Sequence, residues 1–318
     1  ATGGDWNGDG KQDLVVGATH HDDGGIDVGA VWVLFMETSG ASAGTVLSFS
    51  KISASSGGFT GSLAANDAFL IVEIGGDWNG DGKQDLVAGA ASDDDGGTTV
   101  GAVYVLFMET SGASSGTVLS FSKISATSGS FTATLEAGDS LGANLAAGVD
   151  WNGDGKVDIA VSAYLDDDGA TDTGAVYVLF METSGASSGT VLSFSKISAT
   201  SGSFTASLAA GDYFGVDVQL FGDWNGDGKE DLLVGARGDD DGATDAGAFY
   251  VLFMETSGAS AGTVLSFLKV SATSGGFTPT LSSSDGIGFC LAGGDWNGDG
   301  RQDVAVGAYP DATGNTHA

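Results

Sequence analysis

Cysteine, proline and basic side chains are nearly missing from this chain. Of 318 residues one is cysteine, Cys290, and two are proline, Pro279 and Pro310. A lone cysteine excludes an intrachain disulfide and any zinc cluster built on cysteines, so stability has to come from packing or from another staple. Lys and Arg number 10 against 42 Asp and Glu, a formal net charge of −32. That balance excludes nucleic acid and anionic membrane surfaces as partners on electrostatic grounds. It points to cations, or to basic surfaces bridged by cations. No run approaches the roughly 18 apolar residues of a membrane-spanning helix, so no membrane insertion is expected.

What the chain has in excess is glycine, 55 residues, beside an apolar fraction of 42%. The apolar content is enough for a core, and the glycine follows no Gly-X-Y period, so it marks turns rather than collagen. Those turns recur. Asp-Trp-Asn-Gly-Asp-Gly begins at Asp5, Asp77, Asp150, Asp223 and Asp295, at spacings of 72, 73, 73 and 72 residues. A period of this length signals a repeat architecture. The whole chain, 1–318, reads as one repeat domain of units 5–76, 77–149, 150–222, 223–294 and a truncated 295–318.

Each unit contains four strand-like segments. Asp13–Ala18 is a short apolar run bounded by glycine, and Gly29–Met36 is rich in β-branched and aromatic residues. Thr45–Ser53 alternates in part through Val46, Leu47, Phe49 and Ile52, and Phe214–Phe221 shows the segment that precedes an acidic loop. No sustained 3.6-residue period occurs, so helices should be almost absent. Four short antiparallel strands per unit predict an all-β protein, a β-propeller of four-stranded blades. A linear array of the same sheets is the alternative.

The acidic loops present oxygen donors at alternate positions. In the first these are Asp5, Asn7, Asp9 and Asp13, with Lys11 offering its backbone carbonyl while its side chain points away. The other sets are Asp77, Asn79, Asp81, Lys83, Asp85; Asp150, Asn152, Asp154, Lys156, Asp158; Asp223, Asn225, Asp227, Lys229, Asp231; and Asp295, Asn297, Asp299, Arg301, Asp303. Glycine at the sixth position allows the loop to close on one cation. Three carboxylates and no soft ligand favour Ca2+ over zinc or copper, one ion per repeat. An EF-hand starts in the same way but needs glutamate at position 12, where this chain has Val16, Ala88, Val161, Val234 and Val306. The loops therefore join strands.

A second acidic cluster follows each strand after the loop: Asp22-Asp23, Asp93–Asp95, Asp166–Asp168 and Asp239–Asp241. It reads as a solvated hairpin turn, with a ring of ligand contacts as the alternative. The loop tryptophans Trp6, Trp78, Trp151, Trp224 and Trp296 are expected to pack between neighbouring sheets; stacking on sugars is the other reading. Phe35, Tyr104, Phe107, Tyr177, Phe180, Tyr250 and Phe253 are expected in the core. His20, His21 and His317 are unrepeated and carry no expected catalytic or zinc role. No nucleophile–base set, phosphate loop or dinucleotide fingerprint occurs, and near-identical units argue against a unique active site. The chain is not read as an enzyme.

These units resemble the FG-GAP repeat of integrin α-chain propellers and of secreted proteins. Phe214-Gly215 carries the first element, with Leu141-Gly142, Ile287-Gly288 and Phe69-Leu70 as departures from it. Gly17-Ala18, Gly89-Ala90, Ser162-Ala163, Gly235-Ala236 and Gly307-Ala308 carry the second, with proline displaced to Pro310. Between the two elements lies the loop, Asp5 to Asp13 and its equivalents. The resemblance implies a blade with calcium in the hairpin between its first two strands, and an extracellular or cell-surface place. A structural or adhesive role is expected, as a building block of an appendage, matrix or filament; a calcium-dependent glycan-binding propeller is the alternative. Counted by strands, the first unit lacks one before its loop and the last lacks two after Ala308. Partners are therefore expected among other protein chains, further repeats or further copies joined head to tail, with glycans as a second class.

Overall fold

The computed structural model describes residues 3–309, with the side chains of Leu70 and Ile71 outside that description. His317 and Pro310 lie outside it too. The protein is all-β. Strands β1 (Leu14–Ala18), β2 (Ala30–Glu37) and β3 (Thr45–Ile52) form the first sheet. Strands β4 (Phe69–Ile74), β5 (Leu86–Ala90), β6 (Ala102–Glu109) and β7 (Thr117–Ser125) form the second, in that order. The third contains β8 (Leu145–Val149), β9 (Asp158–Ala163), β10 (Ala175–Glu182) and β11 (Thr190–Ser198). The fourth contains β12 (Phe214–Leu220), β13 (Leu232–Ala236), β14 (Ala248–Met254) and β15 (Val264–Ser271), and the last pairs β16 (Ile287–Gly294) with β17 (Asp303–Ala308). The only helical segments among the described residues are 3-10 turns of three residues, Gly40–Ser42, Gly112–Ser114, Gly185–Ser187 and Gly258–Ser260.

Pairing is antiparallel and follows chain order within each repeat. The acidic loop joins the first two strands of a sheet, as β4 to β5. The third strand then returns to the loop end, so that Leu86 lies opposite Leu106 and Ala90 opposite Ala102. Phe107 and Met108 shift register by a bulge where β6 meets β7, and the equivalent bulges fall at Phe35 and Phe253. Strand β16 pairs with β17, and the first sheet has three strands among the described residues.

By contacts the chain forms two compact units. One comprises 1–148, 155–159 and 180–193; the other comprises 149–154, 160–179 and 194–318. The core of the first is built from the inward faces of its sheets, with Val31, Val33, Ile52, Phe69, Leu86, Tyr104, Leu106 and Met108 buried together. Gly101 shows why glycine recurs at the start of the third strand. Its φ is +88°, and a Cβ there would lie 2.2 Å from the Leu141 carbonyl oxygen of the next repeat. The same residues form an isolated parallel bridge, so successive repeats meet backbone to backbone where only glycine fits. In the second unit Phe221, Leu233, Phe249, Val251, Val270 and Leu291 form a further apolar cluster.

The predicted aromatic core is present, with Tyr104, Tyr177 and Tyr250 at most 1% exposed. Phe253 is the exception and is half-buried.

Candidate metal loops and the acidic hairpins

Each acidic loop is wound around its first aspartate. Gly8 and Asp9 donate their backbone N–H groups to Asp5 Oδ1 at 2.7 and 3.0 Å, and Gly10 donates to Asp5 Oδ2 at 2.7 Å. Asp9 N–H also reaches Asn7 Oδ1 at 2.9 Å, and Lys11 N–H reaches Asp9 Oδ1 at 2.9 Å. Gly8 and Gly10 have φ of +76° and +81°, the left-handed conformation that such a winding needs at both positions. The second, fourth and fifth loops repeat this pattern bond for bond. In the third, Asp150 and Asn152 accept the same N–H groups of Gly153 and Asp154.

The ninth-position aspartate ties the loop to the sheet. Asp13 is fully buried and accepts Trp6 N–H on Oδ2 and Met36 N–H on Oδ1, both at 2.9 Å. Asp85 does the same with Trp78 and Met108. Burial pushes the Asp85 carboxyl up to about 7 and that of Asp231 to about 6, and the first two aspartates of the same loop push in the same direction. In four loops the basic side chain turns away from these oxygens. Lys11 Nζ meets Glu37 at 2.9 Å, Lys83 meets Glu109 at 2.7 Å, Lys156 meets Glu182 at 2.9 Å and Lys229 meets Glu255 at 3.0 Å. These contacts, with the help of the following serine, hold the Glu37, Glu109 and Glu182 carboxyls down at about 2.

Among the described residues no group of three or more His, Cys, Asp or Glu side chains stands in the geometry of a metal cluster. Backbone amides gather the carboxylates. The donors nevertheless fit a hard divalent cation by their chemistry: carboxylate and amide oxygens only, like charges facing one another, and the nearest ammonium directed elsewhere.

The tryptophans divide. Trp6, Trp78 and Trp151 are fully buried, Trp224 is half-buried and Trp296 is 59% exposed. Packing between repeats is thus correct for three and incorrect for Trp296. Trp78 lies over Gly75, where a Cβ would come within 1.5 Å of its ring, and its Nε1–H donates to the Val157 carbonyl at 2.9 Å. The position two residues before the loop is Gly3, Gly75, Gly148 and Gly293 in four repeats but Phe221 in the fourth. Phe221 occupies the seat, so Trp224 stacks on it at 4.5 Å between ring centroids. Trp224 then walls a cavity of about 450 Å3 with Phe249, Val251, Leu268 and Arg301.

The second acidic clusters are not wholly solvated turns: Asp94, Asp167 and Asp240 are exposed, but the aspartate before each is buried. Asp93 is 3% exposed and accepts Lys123 Nζ at 2.9 Å, Tyr104 Oη–H at 3.1 Å and Asp95 N–H at 2.9 Å. Asp95 accepts Ser125 Oγ–H at 2.7 Å, and bonds from Thr127, Ser125 and Lys123 hold its carboxyl at about 2. Asp94 caps the turn by accepting Thr99 N–H at 2.8 Å, and Thr99 takes a left-handed φ of +52°. The third and fourth repeats reproduce the set with Tyr177, Lys196 and Asp166, and with Tyr250, Lys269 and Asp239. In the first repeat His21 stands where Asp93 does and packs edge-on against Trp32, while Lys51 pairs with Asp23. The consecutive aspartates therefore serve the hairpin that carries them.

Another buried carboxylate lies beside this network. Asp67 is 3% exposed, accepts Ala64 N–H at 2.6 Å, and is pushed up to about 6 by burial, with Asp93 adding to the shift. Its native value lies above the ordinary 3.8, so the folded state binds the proton more tightly. Its contribution to stability is greatest below about pH 4 and falls as pH rises to about 6, where the full cost of the buried charge, at most about 3 kcal/mol, is present. Asp67→Asn keeps the acceptor and removes the charge. The variant should melt above the parent protein at pH 7.5 and level with it near pH 4, which parallel thermal melts would show.

The FG-GAP repeat family model matches residues 141–179 and 220–252. The first match runs from the Leu141-Gly142 element through the third acidic loop into β10, and the second spans the fourth loop and most of β14. Two segments of the chain thus match the FG-GAP repeat. No curated protein matches it. FG-GAP repeats typically form blades of four antiparallel strands, and the second, third and fourth sheets have that build. Such repeats are typical of extracellular and surface proteins, and no helix among the described residues is long and apolar enough to cross a membrane.

Proposed function

We propose that this FG-GAP repeat protein is a calcium-stabilised extracellular structural or adhesive protein that takes one Ca2+ in each acidic loop. The observation that carries this reading is the orientation of the loop lysine. A solvated turn rich in aspartate would gain by folding its own ammonium back onto the carboxylates. In four repeats the ammonium is drawn off to a glutamate of the neighbouring turn, so the loop carboxylates are not neutralised by their own lysine, a deficit that a bound cation would offset. The exposed apolar side chains Val46, Leu47 and Phe49 on β3, 47–63% accessible, support a protein partner, whether another chain or a second copy.

Calorimetric calcium titration together with elemental analysis tests the site assignment. Asp9→Ala should remove one ion from the stoichiometry and leave the other loops filled. Lys11→Ala should remove none, because only its carbonyl is a ligand in this reading. Equal loss in both variants would show the ligand assignment to be wrong.

Half-exposed Trp224 beside its cavity favours glycan binding as a second reading, since an indole face set among polar groups suits a sugar ring. A glycan array probed in calcium separates the two: uniform absence of signal leaves the structural reading alone.

A further inference from the structure

We infer that neighbouring acidic loops take up calcium cooperatively, the second being linked to the third through its tryptophan and through the turn that follows the third strand. The inference rests on the calcium reading above and adds how its sites regulate one another.

Two physical ties join the second loop to the third. Trp78 stands between the ligands Asp77 and Asn79, its backbone N–H held by Asp85 Oδ2 at 2.9 Å. Its ring leaves the loop, is fully buried, and donates Nε1–H to the carbonyl of Val157. Val157 directly precedes the ligand Asp158. A cation that fixes Asp158 thereby fixes the acceptor that seats Trp78, and a cation that fixes Asp77 and Asn79 fixes the donor. The second tie runs through the turn after β10. Asp158 Oδ1 accepts Met181 N–H at 3.0 Å and Lys156 pairs with Glu182 at 2.9 Å, so the third loop sets the position of this turn. The neighbouring Thr183 carbonyl abuts the second loop at Gly80, where an added Cβ would lie 3.6 Å away. Gly8 of the first loop meets Thr110 at the same distance. Ordering one loop therefore lowers the cost of ordering its neighbour, and such a coupling is reciprocal between sites.

The fourth repeat supplies an internal contrast. Phe221 replaces the glycine that seats the indole, and Trp224 remains half-buried against it. The fourth repeat therefore lacks the seat that Trp78 uses, and the tryptophan link belongs to the second and third loops.

The test is a calcium titration of the full chain, read by calorimetry and by tryptophan fluorescence. The expected result is one ion per loop with a Hill coefficient clearly above one, reflecting coupling of roughly 5-fold or more between neighbours. Trp78→Phe should keep the stoichiometry and lower the Hill coefficient. Phe221→Gly should seat Trp224, shift its emission to the blue and raise the coefficient. Full stoichiometry with a coefficient of one overturns the inference and leaves the calcium reading standing. A coefficient unchanged in both variants overturns the tryptophan link. Absence of calcium uptake removes the calcium reading and the inference with it.

Discussion

Chelation with EGTA should lower the melting temperature of this protein by about 10 °C or more. Binding to the native state alone stabilises by about 2.7 kcal/mol for each site held at 100 times its dissociation constant. For a domain of this size each kcal/mol is worth a few degrees. Five loops carry the proposed ligands, so even partial saturation reaches that range. Emptying them also exposes the repulsion among the carboxylates, with Asp85 buried beside Asp81 and Asp77. Calcium should restore the melt fully and magnesium less so, because magnesium demands a stricter octahedron and sheds its water reluctantly. An unchanged melt in EGTA, in protein that elemental analysis finds free of metal, would end the calcium proposal.

The strands were legible because nothing competes with the β pattern in this sequence. Ala30–Glu37 and its equivalents are runs of β-branched and aromatic residues between glycine turns, and the structure places strands there to within a residue or two. The repeat set the sheet order as well, since chain neighbours are sheet neighbours throughout. The acidic hairpins were misread for a definable reason. Consecutive aspartates read as solvated when taken alone, and their partners lie 30 and 32 residues downstream. The signal was present all the same: Lys123, Ser125 and Thr127 recur in register as Lys196, Ser198 and Thr200, and as Lys269, Ser271 and Thr273. Cations and hydroxyls at a fixed offset from buried acids form a network, and only the fold of β6 onto β7 shows that the offset is a contact. Phe221 was visible as a break in the repeat too. Its consequence needed the knowledge that an indole lies over the equivalent glycine.

Lys123→Met should destabilise the protein by about 3–5 kcal/mol, the cost of leaving one member of a buried ion pair without its partner. Asp93 is 3% exposed, and its remaining donors would be the Tyr104 hydroxyl and one backbone amide. The methionine keeps the aliphatic stem packed near the Tyr104 ring, over which the ammonium now sits at 5.6 Å, so lost packing does not account for the effect. Lys83→Met is the matched control in the same repeat. The side chain of its partner Glu109 is 19% exposed against 4% for that of Asp93, so the charge left behind is better solvated, and the variant should lose clearly less stability than Lys123→Met. A double variant, Lys123→Met with Asp93→Asn, should recover part of the loss, because the uncompensated charge is removed while the amide still bonds to Tyr104. Equal melting of the two lysine variants would return the aspartate cluster to a solvated turn. Chemical denaturation in saturating calcium is the measurement to use, so that the metal loops stay constant while the hairpin network is varied.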